Sequence, residues 1–308
     1  MKVCILGSIN MDEVVGCNEM PKVGETILAD NFKKVPGGKG ANQAVAARRM
    51  GLEVFMIGKI GDDSNGEVLL NALKKDGINT EYVFKDENNS TGVAIIFVDS
   101  HGNNSIAVVA GSNMTITSED LANSQNAIKN SKILISQFET PIDITIEAFK
   151  FARENGVVTL LNPAPAREIP DELLKYTDII VPNETEAETL TGIKVSDIET
   201  AKTAANKFLE KGAKYVIITL GEKGAAIVSI NCSTLVPANK VVAVDTTAAG
   251  DSFIGGLSRI LSTLDLSFES LEKAVKFANK VSAIVVTKEG AQTSIPTFDE
   301  VVKTYGEE

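Results

Sequence analysis

The sequence predicts an α/β fold in which helices flank a doubly wound, mostly parallel sheet, with a small four-stranded β lid attached. Three observations predict this fold class. Short runs rich in β-branched residues alternate with amphipathic helical patterns, the connections between them are short, and most of the runs are apolar throughout. Strands that are apolar on both faces are typical of a parallel sheet covered by helices. Repeated β-α units joined by short connections give a doubly wound sheet.

Seven short runs predict strands of the main sheet, and six helical patterns lie between or after them. The predicted strands are residues 3–6, 54–57, 132–136, 157–161, 178–181, 215–219 and 225–229. The predicted helices are residues 44–50, 64–76, 143–154, 183–190, 197–211 and 252–261. Glycine lies just after several of the helical patterns, among them at Gly77, Gly156, Gly192 and Gly212, as it commonly does at helix ends.

Two segments interrupt this alternation because they carry strand patterns without helices. The first contains possible strands at residues 13–17 and 26–32. The second, residues 91–110, has the alternation and the His101-Gly102-Asn103 turn of a hairpin. A separate sheet of this kind exposes an apolar face unless it covers something or pairs with a partner. We therefore expect a lid over an active site that also forms a homodimer surface; the alternative is an extension of the main sheet at its edge.

The predicted domain division follows from these interruptions. An α/β core takes residues 1–11, 36–90 and 111–308, and the lid takes residues 12–35 and 91–110.

Composition and charge exclude several classes of protein. Of the 308 residues, 44% are hydrophobic and 23% are charged, which is typical of a soluble globular chain. The net charge of −11 argues against a general nucleic-acid partner, because phosphate binding needs a basic surface. The apolar run at the N-terminus is too short for a signal segment, and no stretch could span a membrane, so we expect a cytoplasmic protein.

Cysteine and histidine are too scarce for several kinds of site. The three cysteines, Cys4, Cys17 and Cys232, form no C-x-x-C pair, and His101 is the single histidine. A zinc site built from cysteine and histidine is therefore excluded. A nucleophile activated by histidine would have to use His101, which belongs to the predicted hairpin turn.

The segment before the last predicted helix combines an apolar run with small residues and an acid. Residues 241–244 predict a strand, and Ala248, Ala249 and Gly250 leave backbone N–H groups uncovered at the helix start. Such groups, together with the helix dipole, bind anions. Asp251 could be an acid that only stabilises the helix start. With a phosphate on the adjacent N–H groups, it could also accept a hydroxyl proton in phosphoryl transfer.

Three further segments have both a structural and a functional interpretation. The Gly-rich loop at residues 36–40 could be a tight turn or a ligand loop, and it matches neither the P-loop nor the dinucleotide-binding spacing. Asn183 and Glu186 form a capping box, and Glu186 could instead order a hydrated Mg²⁺ near nucleotide phosphates. Residues 219–224 link two apolar strands as a hairpin turn that could also contact a nucleotide.

Taken in order, these four segments resemble the ribokinase family of sugar kinases, within the phosphofructokinase-B-type superfamily. The resemblance covers nearly the whole chain, from residues 7–12 to residues 290–292. The early Gly-Gly loop and the late Asp-Thr-x-x-Ala-Gly-Asp motif, residues 245–251, are specific to the superfamily. Three motifs match the family itself: Gly38-Lys39-Gly40-Ala41-Asn42-Gln43-Ala44, Asn162-Pro163-Ala164-Pro165-Ala166 and Asn183-Glu184-Thr185-Glu186-Ala187-Glu188.

One departure concerns Ala248, where many superfamily members have glycine. A methyl group there is compatible with an N–H donor, so we expect the anion hole to be undisturbed.

The resemblance implies a sugar site. Its residues would be Asn10, Met11, Asp12, Gly38, Lys39, Gly40, Asn42 and Glu139, together with Asp251. Carboxylates and amides suit sugars because vicinal hydroxyls take paired hydrogen bonds. The residues implied for ATP are Asn183, Thr219, Leu220, Gly221, Glu222, Lys223, Gly224, Gly250 and Asn279, the last near the adenine.

The resemblance also implies two cations. Glu186 would help to position Mg²⁺ through water. An activating K⁺ would order the anion-hole loop, with the Asp245 carboxylate as a direct ligand and several backbone carbonyls as the others. The matching positions are Asp245, Thr247, Val285, Lys288, Gly290 and Ser294.

The implied reaction converts ATP and D-ribose into ADP and D-ribose 5-phosphate. Asp251 would be the base on the O5 hydroxyl, and the N–H groups of Ala249 and Gly250 would form the anion hole. Three alternatives stay open. They are a kinase for another acceptor (2-deoxyribose, another sugar or a nucleoside), a non-catalytic sugar-binding protein, and a dinucleotide oxidoreductase. The absence of G-x-G-x-x-G argues against the last.

Overall fold

The computed structural model describes residues 1–306, which form two β-sheets and ten α-helices. The strands are β1 (Lys2–Leu6), β2 (Asn10–Gly16), β3 (Asn31–Gly37), β4 (Glu53–Gly61), β5 (Asn79–Asp86), β6 (Gly92–Val98), β7 (Asn104–Val109), β8 (Ile133–Ser136), β9 (Val158–Leu161), β10 (Ile179–Ile180), β11 (Tyr215–Thr219), β12 (Ala225–Val228) and β13 (Ser233–Val236). The helices are α1 (Lys39–Arg49), α2 (Ser64–Lys75), α3 (Ser118–Lys129), α4 (Ile142–Glu154), α5 (Asp171–Lys175), α6 (Glu184–Thr191), α7 (Ile198–Glu210), α8 (Ala249–Leu261), α9 (Phe268–Val285) and α10 (Phe298–Tyr305).

The larger sheet has nine strands in the order β13-β12-β11-β10-β9-β8-β1-β4-β5. Every pair is parallel except β11–β12 and β12–β13, which are antiparallel. Successive side chains of β1 enter opposite apolar layers, because a strand projects alternate residues to its two faces. Val3 and Ile5 pack in the layer that contains α1, α8 and α9, whereas Cys4 and Leu6 pack in the layer that contains α3, α4 and α7. The predicted doubly wound sheet is therefore confirmed.

The smaller sheet is separate from the larger one and has the order β3-β2-β6-β7. β2 lies antiparallel to β3 and parallel to β6, and β6 and β7 form the predicted hairpin around His101. The four-stranded sheet is thus confirmed, and the alternative of an extended edge of the main sheet is wrong. No helix of residues 1–306 combines the length and the apolar character needed to cross a membrane.

The strand predicted at residues 26–32 is wrong in its position. β3 begins at Asn31 and continues through Pro36 to Gly37, which pairs with Asn10. Leu28 has strand-like neighbours but is 96% exposed, because no strand lies beside it. Proline is compatible with β3 because β3 is an edge strand.

Several elements were not predicted, and two helices begin earlier than expected. The missed elements are β5, β13, α3, α5, α9 and α10, although α3, α9 and α10 begin with capping boxes. α1 begins at Lys39 rather than at residue 44, and α8 begins at Ala249 rather than at residue 252. These earlier starts place the first turns of both helices in the segments that were predicted to bind ligands.

A close backbone approach joins the start of α1 to the end of β1. A Cβ atom on Gly40 would lie 2.6 Å from the Cα of Gly7 and 2.6 Å from the nitrogen of Ser8. Ala41 N donates a hydrogen bond of 2.9 Å to Ser8 O. Because backbone atoms cannot retreat as side chains do, only glycine allows this contact. The contact fixes where the first turn of α1 lies relative to the sheet.

We expect Gly40→Ala to lower the free energy of unfolding by at least about 2 kcal/mol, because the new methyl group overlaps backbone atoms. Gly250→Ala is the matched control, since Gly250 is also the second residue of a helix but has open space around the Cβ position. That change should leave stability within about 1 kcal/mol of the original protein. Denaturant unfolding of the two variants measures the difference, and equal stabilities would contradict the close approach.

Candidate active site

A polar cleft opens where the carboxyl ends of the parallel strands meet the N-termini of α1, α6 and α8. Segments far apart in the chain line it: Lys39, Asn162, Ala164, Val181, Asn183, Glu186, Thr219, Thr246, Ala248, Gly250, Asp251, Phe253 and Ile254. Ligands of open α/β sheets bind at this edge, outside the carboxyl ends of the strands. Six of these residues were predicted to bind ligands or to catalyse, and the structure brings all six together: Lys39, Asn183, Glu186, Thr219, Gly250 and Asp251.

Asp251 is the third residue of α8 and is only 9% exposed. Its carboxylate accepts hydrogen bonds from two side chains of α1, at Oδ2 from Asn42 Nδ2 (3.1 Å) and at Oδ1 from Gln43 Nε2 (3.0 Å). Burial raises the pKa of Asp251, and the opposing effects of Lys39 and the two amides do not cancel it. A buried carboxylate that is bound to another helix does more than stabilise the start of its own helix.

The first turn of α8 has an unusual backbone. Ala248 is the N-cap residue and has φ of 59°, in the left-handed region that favours glycine. An L-residue there costs roughly 1–2 kcal/mol, so alanine at this position strains the loop. Ala249 N donates to Thr246 O at 3.2 Å, whereas the N–H of Gly250 has no partner within residues 1–306.

Four acids, one of which is Asp251, lie near the Lys39 side chain. Burial acts to lower the pKa of Lys39, but Asp251, Glu139, Glu186 and Asp12 outweigh it and raise that pKa. The ammonium group therefore stays charged. Because this one cation faces four carboxyl groups, it neutralises only part of their negative charge.

Asp12 has a strongly perturbed carboxyl group. Burial raises its pKa to about 7, repulsion from Glu139 and Asp251 adds to this effect, and Lys39 opposes it. Its side chain lies against the backbone of Gly37, where a Cβ atom would be 2.1 Å from Oδ2. A bulkier residue at position 37 would displace the carboxylate from the cleft.

Glu139 is tied to the segment that carries the Gly-rich loop. Its Oε2 accepts a hydrogen bond from the backbone N–H of Lys39 at 3.2 Å and a short one from the hydroxyl of Ser8. Ser8 Oγ in turn accepts from Gly40 N at 3.3 Å. The end of β1, the start of α1 and the loop after β8 are thus held together by one carboxylate.

The remaining residues predicted for a sugar lie in two different environments. Asn10 is 3% exposed, and its Oδ1 accepts a hydrogen bond of 2.7 Å from Asn113 Nδ2. Met11 is 2% exposed and packs in the apolar core, so its side chain does not face the cleft. Gly38 has φ of 89°, which makes the turn from β3 into α1.

The residues predicted for a nucleotide surround the ends of β10 and β11. Asn183 and Glu186 form the expected capping box, in which Glu186 N donates to Asn183 Oδ1 at 2.7 Å and Asn183 N donates to Glu186 Oε2 at 2.9 Å. Thr219 forms an isolated parallel bridge with Asn183. Leu220 precedes a short 3₁₀ turn, Gly221–Lys223, which links β11 to β12 as the expected hairpin.

At three positions predicted to bind the nucleotide, the residue already makes a close contact within the protein. Lys223 Nζ donates to Ser196 O at 2.8 Å, beside α7. Asn279 Nδ2 donates to Pro237 O at 3.0 Å and to Val236 O at 3.3 Å. Gly224 has φ of 105°, and a Cβ atom there would lie 2.0 Å from Val236 O. Glu222 is exposed on the same turn.

The strand predicted at residues 241–244 is wrong. The chain there forms no ladder; Val244 N donates to Val286 O, and Val242 is 85% exposed. These valines are apolar but not buried, because they lie at the surface beside the loop that leads to α8.

The residues present suit a hydrated Mg²⁺ better than a protein-only metal site. Within the described part of the chain, no cluster of three or more histidine, cysteine, aspartate or glutamate side chains could hold a metal. Mg²⁺ in proteins commonly takes one or two carboxylates, waters and substrate phosphates. Glu186 faces the cleft as such a carboxylate, and burial raises its pKa.

The two segments predicted for K⁺ meet through Asp245. Its Oδ2 accepts from Gly290 N at 2.8 Å, and its Oδ1 accepts from the Thr247 N–H at 2.9 Å. Burial acts to raise the pKa of Asp245, but these bonds outweigh it and lower that pKa, so the carboxylate is ionised. Val285 O accepts from Lys288 N at the end of α9, and the Ser294 side chain is fully buried.

Comparison with known proteins gives a consistent family. The model of the pfkB family carbohydrate kinases matches residues 1–298. A ribokinase from Staphylococcus aureus is 46% identical over 301 residues, which are 97% of this chain and 98% of that protein. A deoxyribokinase from Salmonella typhi is 39% identical over 301 residues, 97% of each chain. The structure of Arabidopsis thaliana ribokinase complexed with ribose and ATP superposes with a TM-score of 0.89 at 32% identity, covering 98% of this chain and 97% of that one.

We expect the free energy of unfolding to fall as the pH rises from about 4 to about 7. The pKa of Asp12 is about 7 in the folded protein against 3.8 ordinarily, so the folded state binds the extra proton in this window. The loss should be roughly 2–4 kcal/mol and should end above the folded pKa. Asp12→Asn, which does not titrate, should flatten the profile, while Asp30→Asn at an exposed site should not. Denaturant unfolding at several pH values measures this, and an unchanged slope in Asp12→Asn would contradict it.

Proposed function

Because the chain belongs to the pfkB family of carbohydrate kinases, we propose that it transfers the γ-phosphoryl group of ATP to O5 of D-ribose. The products are ADP and D-ribose 5-phosphate. The observation that carries this proposal is the position of Asp251. It is a buried carboxylate at a helix N-terminus, and it lies between the polar loops of the first 140 residues and the ends of β10 and β11. A base in that position can reach the acceptor hydroxyl, while the backbone N–H groups at the start of α8 face the phosphate that the acceptor attacks.

Asp251 removes the O5 proton as the oxygen attacks phosphorus. Its raised pKa supports this role, because a general base works best when its pKa approaches the operating pH. The Gly250 N–H is open at the start of α8 to donate to the transferring phosphoryl group. The Ala249 N–H joins it when the bond to Thr246 O is shared or broken.

Asn10, Asp12, Lys39, Asn42 and Glu139 hold the sugar in this proposal. They present carboxylates, amides and one ammonium group, which together accept from and donate to a set of neighbouring hydroxyls. Gly38 and Gly40 allow the backbone of the loop to approach the ring closely. Asp12 changes its protonation near neutral pH, so sugar hydroxyls compete there with a proton for the same oxygen atoms.

Asn183, Thr219, the turn from Leu220 to Gly224 and Asn279 hold the nucleotide. Glu186, which lines the cleft, would hold the water shell of Mg²⁺, and the ion would supply neutralisation of the phosphate charge. For K⁺, Asp245 and the segment from Val285 to Ser294 form the site, and the ionised Asp245 holds this segment to the loop that precedes α8. Order in that loop keeps the N–H donors in place.

The smaller sheet closes the sugar site and pairs with a second copy of the chain. Its strand β2 carries Asn10 and Asp12, so movement of the sheet moves sugar ligands with it. Its last strand exposes large apolar side chains, with Ile106 55% and Val108 54% exposed. Because exposed apolar patches mark interaction sites, a homodimer would cover this face. We place the enzyme in the cytoplasm, where ATP is available.

The second candidate acceptor is 2-deoxyribose. A relative named deoxyribokinase is 39% identical over 97% of the chain, and the base and anion hole act on O5 of either sugar. The two acceptors differ by a single hydroxyl group, for which the cleft has several polar side chains.

We expect D-ribose to give the highest kcat/KM for ADP release in a panel that includes 2-deoxyribose, hexoses and nucleosides, and K⁺ to raise turnover. The polar side chains of the cleft favour D-ribose over 2-deoxyribose, which has one hydroxyl group fewer. Preference for a hexose or a nucleoside would overturn the ribose assignment. No ADP release with any acceptor would favour a sugar-binding protein without catalysis.

We expect Asp251→Asn to reduce kcat by about 10²–10⁴-fold, because it removes the general base, and to keep D-ribose binding in calorimetry. Asp299→Asn is the matched control. It removes an acid from the first turn of an exposed helix, α10, and should leave kcat unchanged. Near-normal turnover in Asp251→Asn would exclude it as the base.

A further inference from the structure

Two pairs of amide side chains converge on the carboxylate of Asp251, one pair on each oxygen. Gln43 donates to Oδ1 and itself accepts from Gln137 Nε2 at 2.6 Å. Asn42 donates to Oδ2 and itself accepts from Gln292 Nε2 at 3.1 Å. In both pairs an outer glutamine donates to the oxygen of the inner amide, and the inner amide donates to Asp251.

The direction of the first pair is fixed by a backbone carbonyl. Val181 O can only accept, and Asn162 Nδ2 donates to it at 3.0 Å, so Asn162 Oδ1 faces the other way. Gln43 Nε2 donates to that oxygen at 3.1 Å. The same nitrogen must then face Asp251, because the two bonds use its two hydrogens. Gln43 Oε1 is left to accept from Gln137.

The side chain of Gln137 fits in its position because Gly7 has no side chain. Its Oε1 is buried and has no hydrogen-bond partner within residues 1–306, and a Cβ atom on Gly7 would lie 2.3 Å from it. Gln43 and Gln137 are both fully buried, so neither touches a ligand in the cleft. A buried polar atom without a partner is unfavourable, and its retention beside a fully bonded amide is consistent with a role for Gln137 in aligning Gln43.

The second pair is anchored to the segment after α9. Arg49 of α1 donates through Nη1 to the backbone oxygens of Gln292 and Ile295. This guanidinium group holds the segment against α1, and the Gln292 side chain then reaches Asn42. Both inner amides therefore belong to α1, whereas the outer glutamines that align them come from two different parts of the fold.

We infer that Gln43, aligned by Gln137, is a positioning residue that keeps Asp251 ionised and fixes the direction of its free lone pairs toward the acceptor hydroxyl. Hydrogen bonds to a carboxylate stabilise the charged form. An amide cannot take the proton that the base receives, because it is not a base itself at these pH values. This inference rests on the proposed role of Asp251 as the base.

The charged groups that face Asp251 come from several elements. They are Lys39 from α1, Asp12 from β2, Glu139 from the loop after β8 and Glu186 from α6. None of them bonds directly to Gln43 or Gln137, so neutral substitutions of the two glutamines leave this set of charges unchanged. A change in the titration of Asp251 in such variants reports the lost amide bond.

The test uses three Gln→Met substitutions in the full-length protein, with kcat measured from pH 5 to pH 9 at saturating D-ribose and Mg-ATP. Gln43→Met should lower kcat at neutral pH by about 10–100-fold. It should also move the acid limb of the kcat profile upward by roughly one pH unit, so that turnover recovers as the pH rises. KM for ATP should stay constant, because Gln43 does not reach the cleft.

Gln137→Met should move the acid limb in the same direction by a smaller amount, because Gln43 keeps its bond to Asn162. Gln125→Met, on α3 in the opposite core layer, is the matched control and should leave the profile unchanged. Thermal unfolding identifies the folded variants, and Gln137→Met carries the test if Gln43→Met does not fold. An unshifted acid limb in a folded Gln43→Met or Gln137→Met variant would overturn the inference. Full activity of Asp251→Asn would instead remove the proposed function on which it rests.

Discussion

The burial of the Asp251 carboxylate against the amides of α1 is the interaction on which the arrangement of the site depends. Burying a carboxylate is unfavourable by several kcal/mol unless it is paired and hydrogen-bonded. Here one ammonium group, Lys39, lies close enough to stabilise the charge, and two amides bond to its oxygens. Burial still has the larger effect, since the pKa of Asp251 remains raised. The site therefore holds a base whose affinity for a proton is raised.

Meeting this requirement determines the position of α1. Lys39, Asn42 and Gln43 all belong to the first five residues of that helix, so its first turn must lie directly beside α8. The contact between Gly7 and Gly40 sets that position, because it lets the helix start against the end of β1. Gly255 of α8 makes a similar close approach to the backbone of α1 at Ala46. The small residues that predict a ligand loop also allow the helices to pack closely enough to share one carboxylate.

Most of the sheet and the reacting groups could be predicted from the sequence, because they follow from local patterns. The motifs that contain Asp251, Lys39, Glu186 and Thr219 can be recognised in the sequence without knowledge of tertiary contacts. The structure brings these four residues into one cleft.

The errors arose where tertiary contacts decide the outcome. Residues 26–32 and 241–244 have the composition of strands but no strand beside them, and composition does not specify pairing. Gln43 and Gln137 were not given roles, because a buried amide in a helix or after a strand has no recognisable spacing. Their function depends on partners up to 208 residues away in the chain. In the sequence, each of these glutamines is marked only by being polar within a run of mostly small or apolar residues.

The charge balance of the cleft connects the proposed sugar site with the lid. Asp12, Glu139, Glu186 and Asp251 face a single Lys39, so the site has an excess of negative charge, and burial together with repulsion from Glu139 and Asp251 raises the pKa of Asp12 to about 7. Hydroxyl groups of a neutral sugar could donate hydrogen bonds to these carboxylates and so stabilise their charged forms without changing the net charge. Since Asp12 belongs to β2 of the smaller sheet and Glu139 belongs to the core, hydrogen bonds from one sugar to both would draw the sheet toward the core. Closure would then exclude water from Asp251 only when an acceptor is present, which is the condition under which a kinase avoids transferring phosphate to water.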